Sequence, residues 1–282
     1  MRVHIIGVGL IGGSFAVDIR NAFPNVQLVG IDNNPAHLKE AISLGIIDEG
    51  EELNNVRSSD LVIVAVPVDV SIPLIKMVLD LVEENTLVID TGSTKGKLCE
   101  ALSSHPNRRN FLAAHPISGT EFSGPQAAIK DLYRNKTNII CEVEKTAFKL
   151  QERALELFQK LGMRICYMDP KSHDRHIAYV SHLSHISSFM LGKTVLEKEK
   201  NERNIFDLAG SGFASTVRLA KSSPAMWSPI FEQNKENVVE ILKEYIQNLN
   251  MFKDLLENND FEGVFNEMEK TNHIKTILNG IN

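Results

Sequence analysis

Residues 3–23 read VHIIGVGLIGGSFAVDIRNAF, and this stretch constrains the fold more than any other in the chain. The opening is a short apolar run of strand type, the centre is a glycine turn, and the remainder has helical periodicity with Asp18 and Arg20 among its polar positions. A strand that turns on glycines straight into a helix is the beginning of a dinucleotide-binding α/β sheet. In Gly7-Val8-Gly9-Leu10-Ile11-Gly12 each glycine has a separate reason. Gly7 makes the tight turn, Gly9 lets backbone approach a pyrophosphate, and Gly12 lets the helix pack on the strand. The N–H groups and positive dipole end at the helix start then face the phosphates, with Leu10 and Ile11 carrying the turn into the helix. A secretory signal also begins with a positive charge and an apolar run, but it does not continue into a charged amphipathic helix.

The second apolar run, VQLVGID, ends on Asp32, about twenty residues past Gly12. A carboxylate there holds both ribose hydroxyls of an adenosine. Asn33 and Asn34 follow, with no arginine to receive a 2′-phosphate, so the pattern favours NAD over NADP.

Further apolar runs (LVIVAVPV, TLVID, NFLAAH, TNIIC, MRICYM) alternate with helical patterns expected over 11–22, 35–44, 70–81, 95–103 and 145–161. Nearly continuous apolar runs suit strands buried on both faces, as in a mostly parallel sheet. After Asp169-Pro170 no strand pattern recurs and helical spacing takes over. The expected architecture is therefore a Rossmann-type NAD-binding domain over 1–169 followed by an all-helical domain over 170–282.

Composition narrows the class of partner. A formal net charge of −6 with no long Lys/Arg run excludes an ordinary nucleic-acid-binding surface. No uncharged run reaches the roughly 18–20 apolar residues of a membrane span. Cys99, Cys141 and Cys166 show neither zinc spacing nor an even disulfide framework, so they read as buried thiols in a reducing cytoplasm.

The chemistry-bearing residues cluster where strands end. Val66 and Pro67 leave one strand, Ser93, Thr94 and Lys95 leave the next, and His115 leaves NFLAAH. All fall at the carboxyl edge of the sheet, where open α/β folds place ligands. By residue type alone Ser93 is a helix N-cap. His115 is open between a structural histidine and a group that accepts a hydroxyl proton, for which an imidazole titrating near neutrality is suited. His182 and His185, three apart in SHLSH, share a helix face and read as interface residues or cleft residues; a metal site lacks a convincing third ligand in His173 or His176.

The blocks DTGSTKG, HPISGTE, SHLSH and GFASTVRLAKSSPAMW occur in one order over essentially the whole chain, and together they resemble the prephenate/arogenate dehydrogenase family of tyrosine biosynthesis. The resemblance implies oxidative decarboxylation of prephenate with NAD. It matches His115 to the catalytic proton acceptor and Ser93 to the serine beside it, which displaces the capping reading. It places Lys95 near cofactor and substrate, and Thr120 and Glu121 at the cleft mouth. His182, His185 and Trp227 match cleft residues, and Arg218 matches the arginine that holds a substrate carboxylate. The resemblance further implies a homodimer formed through the helical domain. This chain has Ala214 and Ser215 where related sequences often carry an arginine-aspartate pair. Arogenate is the nearest alternative substrate, with Glu121 a candidate partner for its ammonium; an NAD-binding sensor without turnover is the alternative outside enzymes.

Overall fold

The apolar runs of the first half form a single eight-stranded sheet in the computed structural model, which describes residues 1–200, 202 and 204–279. The strands are β1 (Arg2–Ile6), β2 (Gln27–Ile31), β3 (Glu49–Gly50), β4 (Leu61–Val64), β5 (Leu87–Asp90), β6 (Phe111–Pro116), β7 (Thr137–Cys141) and β8 (Arg164–Tyr167). Their order is β3-β2-β1-β4-β5-β6-β7-β8. All neighbours run parallel except β6 and β7, which pair antiparallel with His115 opposite Ile139. Every position of β4, β5 and β6 is buried, as continuous apolar runs require.

The helices are α1 (Leu10–Ala22), α2 (Pro35–Ser43), α3 (Val68–Leu81), α4 (Gly96–Leu102), α5 (Phe148–Lys160), α6 (Pro170–Ile177), α7 (Leu183–Glu199), α8 (Ser211–Thr216), α9 (Pro224–Gln233), α10 (Lys235–Glu257), α11 (Phe261–Thr271) and α12 (Ile274–Asn279). Period-two alternation along the strands sends side chains to opposite faces. Ile5, Ile63, Ile89 and Leu112 pack with Phe15 and Ile19 of α1 and Leu157 and Phe158 of α5. Val62, Val64, Val88 and Phe111 pack on the other face with Ile75, Val78 and Leu79 of α3 and Leu98 of α4. Each such side chain, fully buried, contributes roughly 1.5–3 kcal/mol.

The chain packs as two compact units. Met1–Lys235 holds the sheet and helices α1 to α9; Glu236–Asn282 holds the helical run completed by α11 and α12. Among the described residues no helix is long and apolar enough to cross a membrane.

Several expectations need correction. The two-residue strand β3 was invisible in the sequence, because Glu49 and Gly50 form no apolar run and pair only with Val29 and Gly30. The fifth helix begins at Phe148, since residues Val143–Lys145 form a separate 3₁₀ turn. Cys99 and Cys141 are buried free thiols, pushed up to about 12 by burial, but Cys166 on the last strand is only half-buried.

Candidate active site

The order of the strands reverses between β1 and β4, which pair in parallel while the following strands add on opposite sides. Open α/β folds hold their ligands in the crevice beyond the carboxyl ends of the strands at such a point. The glycine turn lies there. Gly7 has φ +89°, and a Cβ on it would lie 2.4 Å from the Ala65 carbonyl oxygen. A Cβ on Gly12 would lie 2.0 Å from the Gly7 carbonyl oxygen and 2.8 Å from Ile5 Cγ2. Both glycines are thus fixed by the closeness of α1 to β1 and β4. Gly9 precedes α1 without a side-chain cap, and a Cβ there would meet nothing nearer than the Gly124 nitrogen at 3.9 Å. The uncapped helix start faces open space, which fits a dinucleotide's phosphates.

Asp32 stands at the end of β2 beside this turn. Its Oδ2 accepts from Val8 N–H at 3.1 Å and its Oδ1 from Asn34 N–H at 2.9 Å. His37 Nδ1 lies 3.5 Å from Oδ1. The carboxylate is held in place by backbone, ready for ribose hydroxyls. Leu10, Ile11, Val66 and Pro67 line the two chain segments flanking the crevice, with Val66 partly buried and Pro67 exposed at the start of α3.

The next two strands deliver the polar groups. Asp90 ends β5, and its carboxylate accepts from Ala114 N–H and Gly92 N–H, each at 3.1 Å. The Lys95 ammonium, wholly buried, pairs with the same carboxylate. Lys95 therefore lies under the 91–95 loop, holding it to the sheet. Ser93 is half-buried in that loop and does not cap α4; the residue preceding that helix is Lys95, with no side-chain cap of its own. The cap comes instead from Asp174 of α6, whose Oδ1 accepts from Lys95 N–H at 2.7 Å and whose Oδ2 accepts from Gly96 N–H at 2.8 Å.

His115 closes this assembly. It is the penultimate residue of β6, 9% exposed, with Nδ1 2.8 Å from His173 Nε2, and His173 Nδ1 lies 2.8 Å from Asp174 Oδ1. Burial, then the neighbouring His173, Lys95 and His182, push His115 well below its ordinary value. Burial also lowers His173, against the pull of Asp174.

The chain reaches His182 through a one-turn π-helix, Ala178–His182, between α6 and α7. Asn234 Nδ2 donates to the Asp174 carbonyl at 2.7 Å and lies 3.2 Å from His182 Nδ1. Burial lowers His182 to about 4. Its Nε2 is buried with no hydrogen-bond partner, and so is Nε1 of Trp227, whose ring lies edge-on at 5.8 Å. His185 stacks on the same indole at 3.6 Å, and burial lowers it as well. Two unmatched buried polar atoms beside an aromatic wall suit a ligand that carries both a ring and polar groups. On the exposed side Arg218 Nη1 lies 3.6 Å from Glu121 Oε2, and Thr120 Oγ1 accepts from Phe122 N–H at 3.3 Å.

Comparison with known proteins fits this geometry. The family model described as prephenate dehydrogenase, nucleotide-binding domain, matches residues 15–167, and the one described as prephenate dehydrogenase, dimerization domain, matches residues 169–270. The chain belongs to the prephenate dehydrogenase family. Prephenate dehydrogenase of Bacillus subtilis is 30% identical over 271 residues, 93% of this chain and 72% of that protein. Cyclohexadienyl dehydrogenase of Zymomonas mobilis is 25% identical over 98% of this chain and 96% of its own length. The crystal structure of prephenate dehydrogenase from Aquifex aeolicus in complex with hydroxyphenyl propionate and NAD+ superposes with a TM-score of 0.91, at 33% identity, over 99% of this chain and 98% of that one.

Sequence reading missed His173, Asp174, Asp90 and Asn234 as parts of the site. By sequence His173 reads only as a weak metal ligand; among the described residues no group of three or more His, Cys, Asp or Glu side chains is arranged to hold a metal ion. A histidine followed by an aspartate early in a helix that starts at a capping Asp-Pro is the local signal.

Proposed function

We propose that the protein is an NAD-dependent prephenate dehydrogenase, converting prephenate to 4-hydroxyphenylpyruvate and carbon dioxide. The observation that carries the reading is the buried His115 near the end of β6, bonded to His173 with Lys95 and His182 as its charged or titratable neighbours. An imidazole held neutral can accept a proton at physiological pH.

NAD would supply the acceptor for the hydride on the hydroxyl-bearing ring carbon. Gly7, Gly9, Leu10, Ile11 and Gly12 would cradle its pyrophosphate, Asp32 its ribose, and Val66, Pro67 and Ser93 would border the rest. His115 accepts the hydroxyl proton, with Ser93 beside it to orient the same hydroxyl. The ring carboxylate leaves as carbon dioxide, its bonding electrons completing the aromatic ring and passing to the former hydroxyl oxygen, which regains a proton to give the phenol of the product. The protein's work is positioning plus one proton transfer. Arg218 anchors a substrate carboxylate in fork geometry, supported by its exposure at the cleft and by the single partner Glu121 at 3.6 Å. His182, His185, Trp227 and Thr120 line the ring's path, and Lys95 supports the loop from below.

The same contact bears on substrate preference. Glu121 faces a guanidinium, which leaves it poorly placed to select an added ammonium, and this favours prephenate over arogenate. Residues 1–169 would supply cofactor binding and 170–282 the substrate cleft and a homodimer contact. The dimer is supported by exposed apolar side chains on the last helices, Leu249, Phe261, Phe265 and Ile277 among them. A reducing cytoplasm suits the free thiols of Cys99 and Cys141.

The test is NADH absorbance with prephenate and arogenate, each with NAD and NADP, on the wild-type protein and on His115→Asn. The expected result is turnover of prephenate with NAD and a kcat about 10²–10⁴-fold lower in the variant with NAD binding intact. NAD binding without turnover of either substrate would leave a sensor as the better reading.

A further inference from the structure

We propose that His173, itself held by Asp174, is a positioning residue that fixes His115 in the tautomer whose Nε2 carries no proton and accepts the one released by substrate. The inference rests on the reading of His115 as proton acceptor. It follows from counting hydrogens along three buried side chains.

Asp174 comes first. Burial alone would raise its carboxyl, but the bonds from His173 and from the N–H groups of Lys95 and Gly96 hold it below the ordinary carboxylate range. It is therefore ionised and can only accept. The bond of 2.8 Å to His173 Nδ1 then requires the proton to sit on that nitrogen. Because burial keeps His173 neutral, its Nε2 is bare and must accept in the 2.8 Å contact with His115. The donor there can only be His115 Nδ1–H. A neutral His115 with hydrogen on Nδ1 has a lone pair on Nε2.

The start of α4 is the anchor of the whole row. Its two free N–H groups, with the positive end of the helix dipole behind them, fix the carboxylate through both oxygens. The imidazole of His173 thus has one orientation, and it passes that orientation to His115, whose ring stands at 66° to it. The groups facing His115 include Lys95 from the loop before α4, His173 from α6 and His182 from the π-turn, while Asp174 and Asp90 act on His173 behind it. The Lys95 cation disfavours positive charge on His115, and the opposing charge along the row is the Asp174 carboxylate, one imidazole away. When Nε2 takes the substrate proton, the new positive charge on His115 is drawn toward that carboxylate through His173. No proton needs to leave Nδ1 for this stabilisation to operate.

A purely structural role for the pair would make His173 part of the α4 cap and nothing more. The two roles separate experimentally. Nitrogen-15 NMR of histidine-labelled wild-type protein, with the His115 signals assigned by their loss in His115→Asn, should show neutral His115 protonated at Nδ1 and bare at Nε2. The opposite tautomer overturns the proposal, whatever the variants do. In steady-state kinetics His173→Leu, which offers no acceptor, should lower kcat about 100-fold while KM for prephenate and Kd for NAD stay within about threefold. His173→Gln, whose Oε1 can accept from Nδ1–H, should recover most of that loss. A kcat for His173→Leu within about threefold of wild type, or equal impairment of the Leu and Gln variants, also overturns it. Absence of wild-type turnover on either substrate would instead refute the assigned reaction, and the NMR result would still decide the tautomer.

Discussion

Replacing Lys95 with methionine tests the buried architecture and the electrostatics of the site at once. The side chain is wholly buried, and its ammonium pairs with Asp90, which is 2% exposed. Met matches the length of the lysine stem, so packing changes little while the charge disappears. What remains is a buried Asp90 carboxylate supported only by the N–H groups of Ala114 and Gly92, each at 3.1 Å. Removing one partner of such a pair costs about 3–5 kcal/mol, because the other charge is left without compensation. Equilibrium unfolding in guanidinium should show that loss at pH 7.

The pH dependence has a definite sign. Burial already raises the Asp90 carboxyl above its ordinary value despite the lysine, and the variant raises it further. A carboxyl whose folded value lies above its unfolded value is penalised at pH above that folded value and relieved as pH falls through it. The gap between Lys95→Met and wild type should therefore narrow toward acid. Activity supplies a second readout, since burial, His173 and then the Lys95 cation depress His115. Without the cation His115 should titrate higher, so the acid limb of kcat/KM should move to higher pH. A stability loss under about 1 kcal/mol, or a loss that grows toward acid, would refute the ion-pair reasoning. An unmoved acid limb would refute the coupling to His115.

Three further substitutions probe the remaining parts. Gly12→Ala puts a Cβ within 2.0 Å of the Gly7 carbonyl and should raise Kd for NAD by roughly tenfold or more, measured by calorimetry. Asp32→Ala removes the ribose acceptor and the repulsion of a 2′-phosphate. The preference for NAD over NADP in kcat/KM should shrink by roughly 10–100-fold without inverting, because Asn33 and Asn34 supply no guanidinium. Arg218→Gln should raise KM for prephenate roughly 10–100-fold with kcat much less affected, the signature of a lost anchor.

What the sequence made legible was whatever depended on neighbours in the chain. The strand-turn-helix opening, the burial of LVIV and LVID, and Asp32 beside the turn all follow from period and spacing, and the structure has them in place. The antiparallel step at β7 was less visible. Its direction is set by the link over residues 117–136, which returns without a crossover helix and is latched to α1. Ser14 Oγ accepts from Ile129 N–H at 2.9 Å, Asp18 from Asp131 N–H at 2.7 Å, and Tyr133 donates to the Ile11 carbonyl at 2.6 Å. No local pattern announces such a latch, although each residue type is ordinary for its place.

The support of His115 was illegible for the same reason in a stronger form. Ser93 was the natural cap for the helix after β5 by residue type, yet the helix start is capped by Asp174, a residue 78 positions away from Gly96. A helix N-terminus needs a carboxylate or hydroxyl but does not specify where along the chain it comes from. Once a distant carboxylate fills that role, the serine is released from it, and the same carboxylate becomes available to fix a histidine row. Ser93 being free of the cap and Asp174 being bound to it are one structural fact. That leaves the Ser93 hydroxyl available for the substrate role proposed for it.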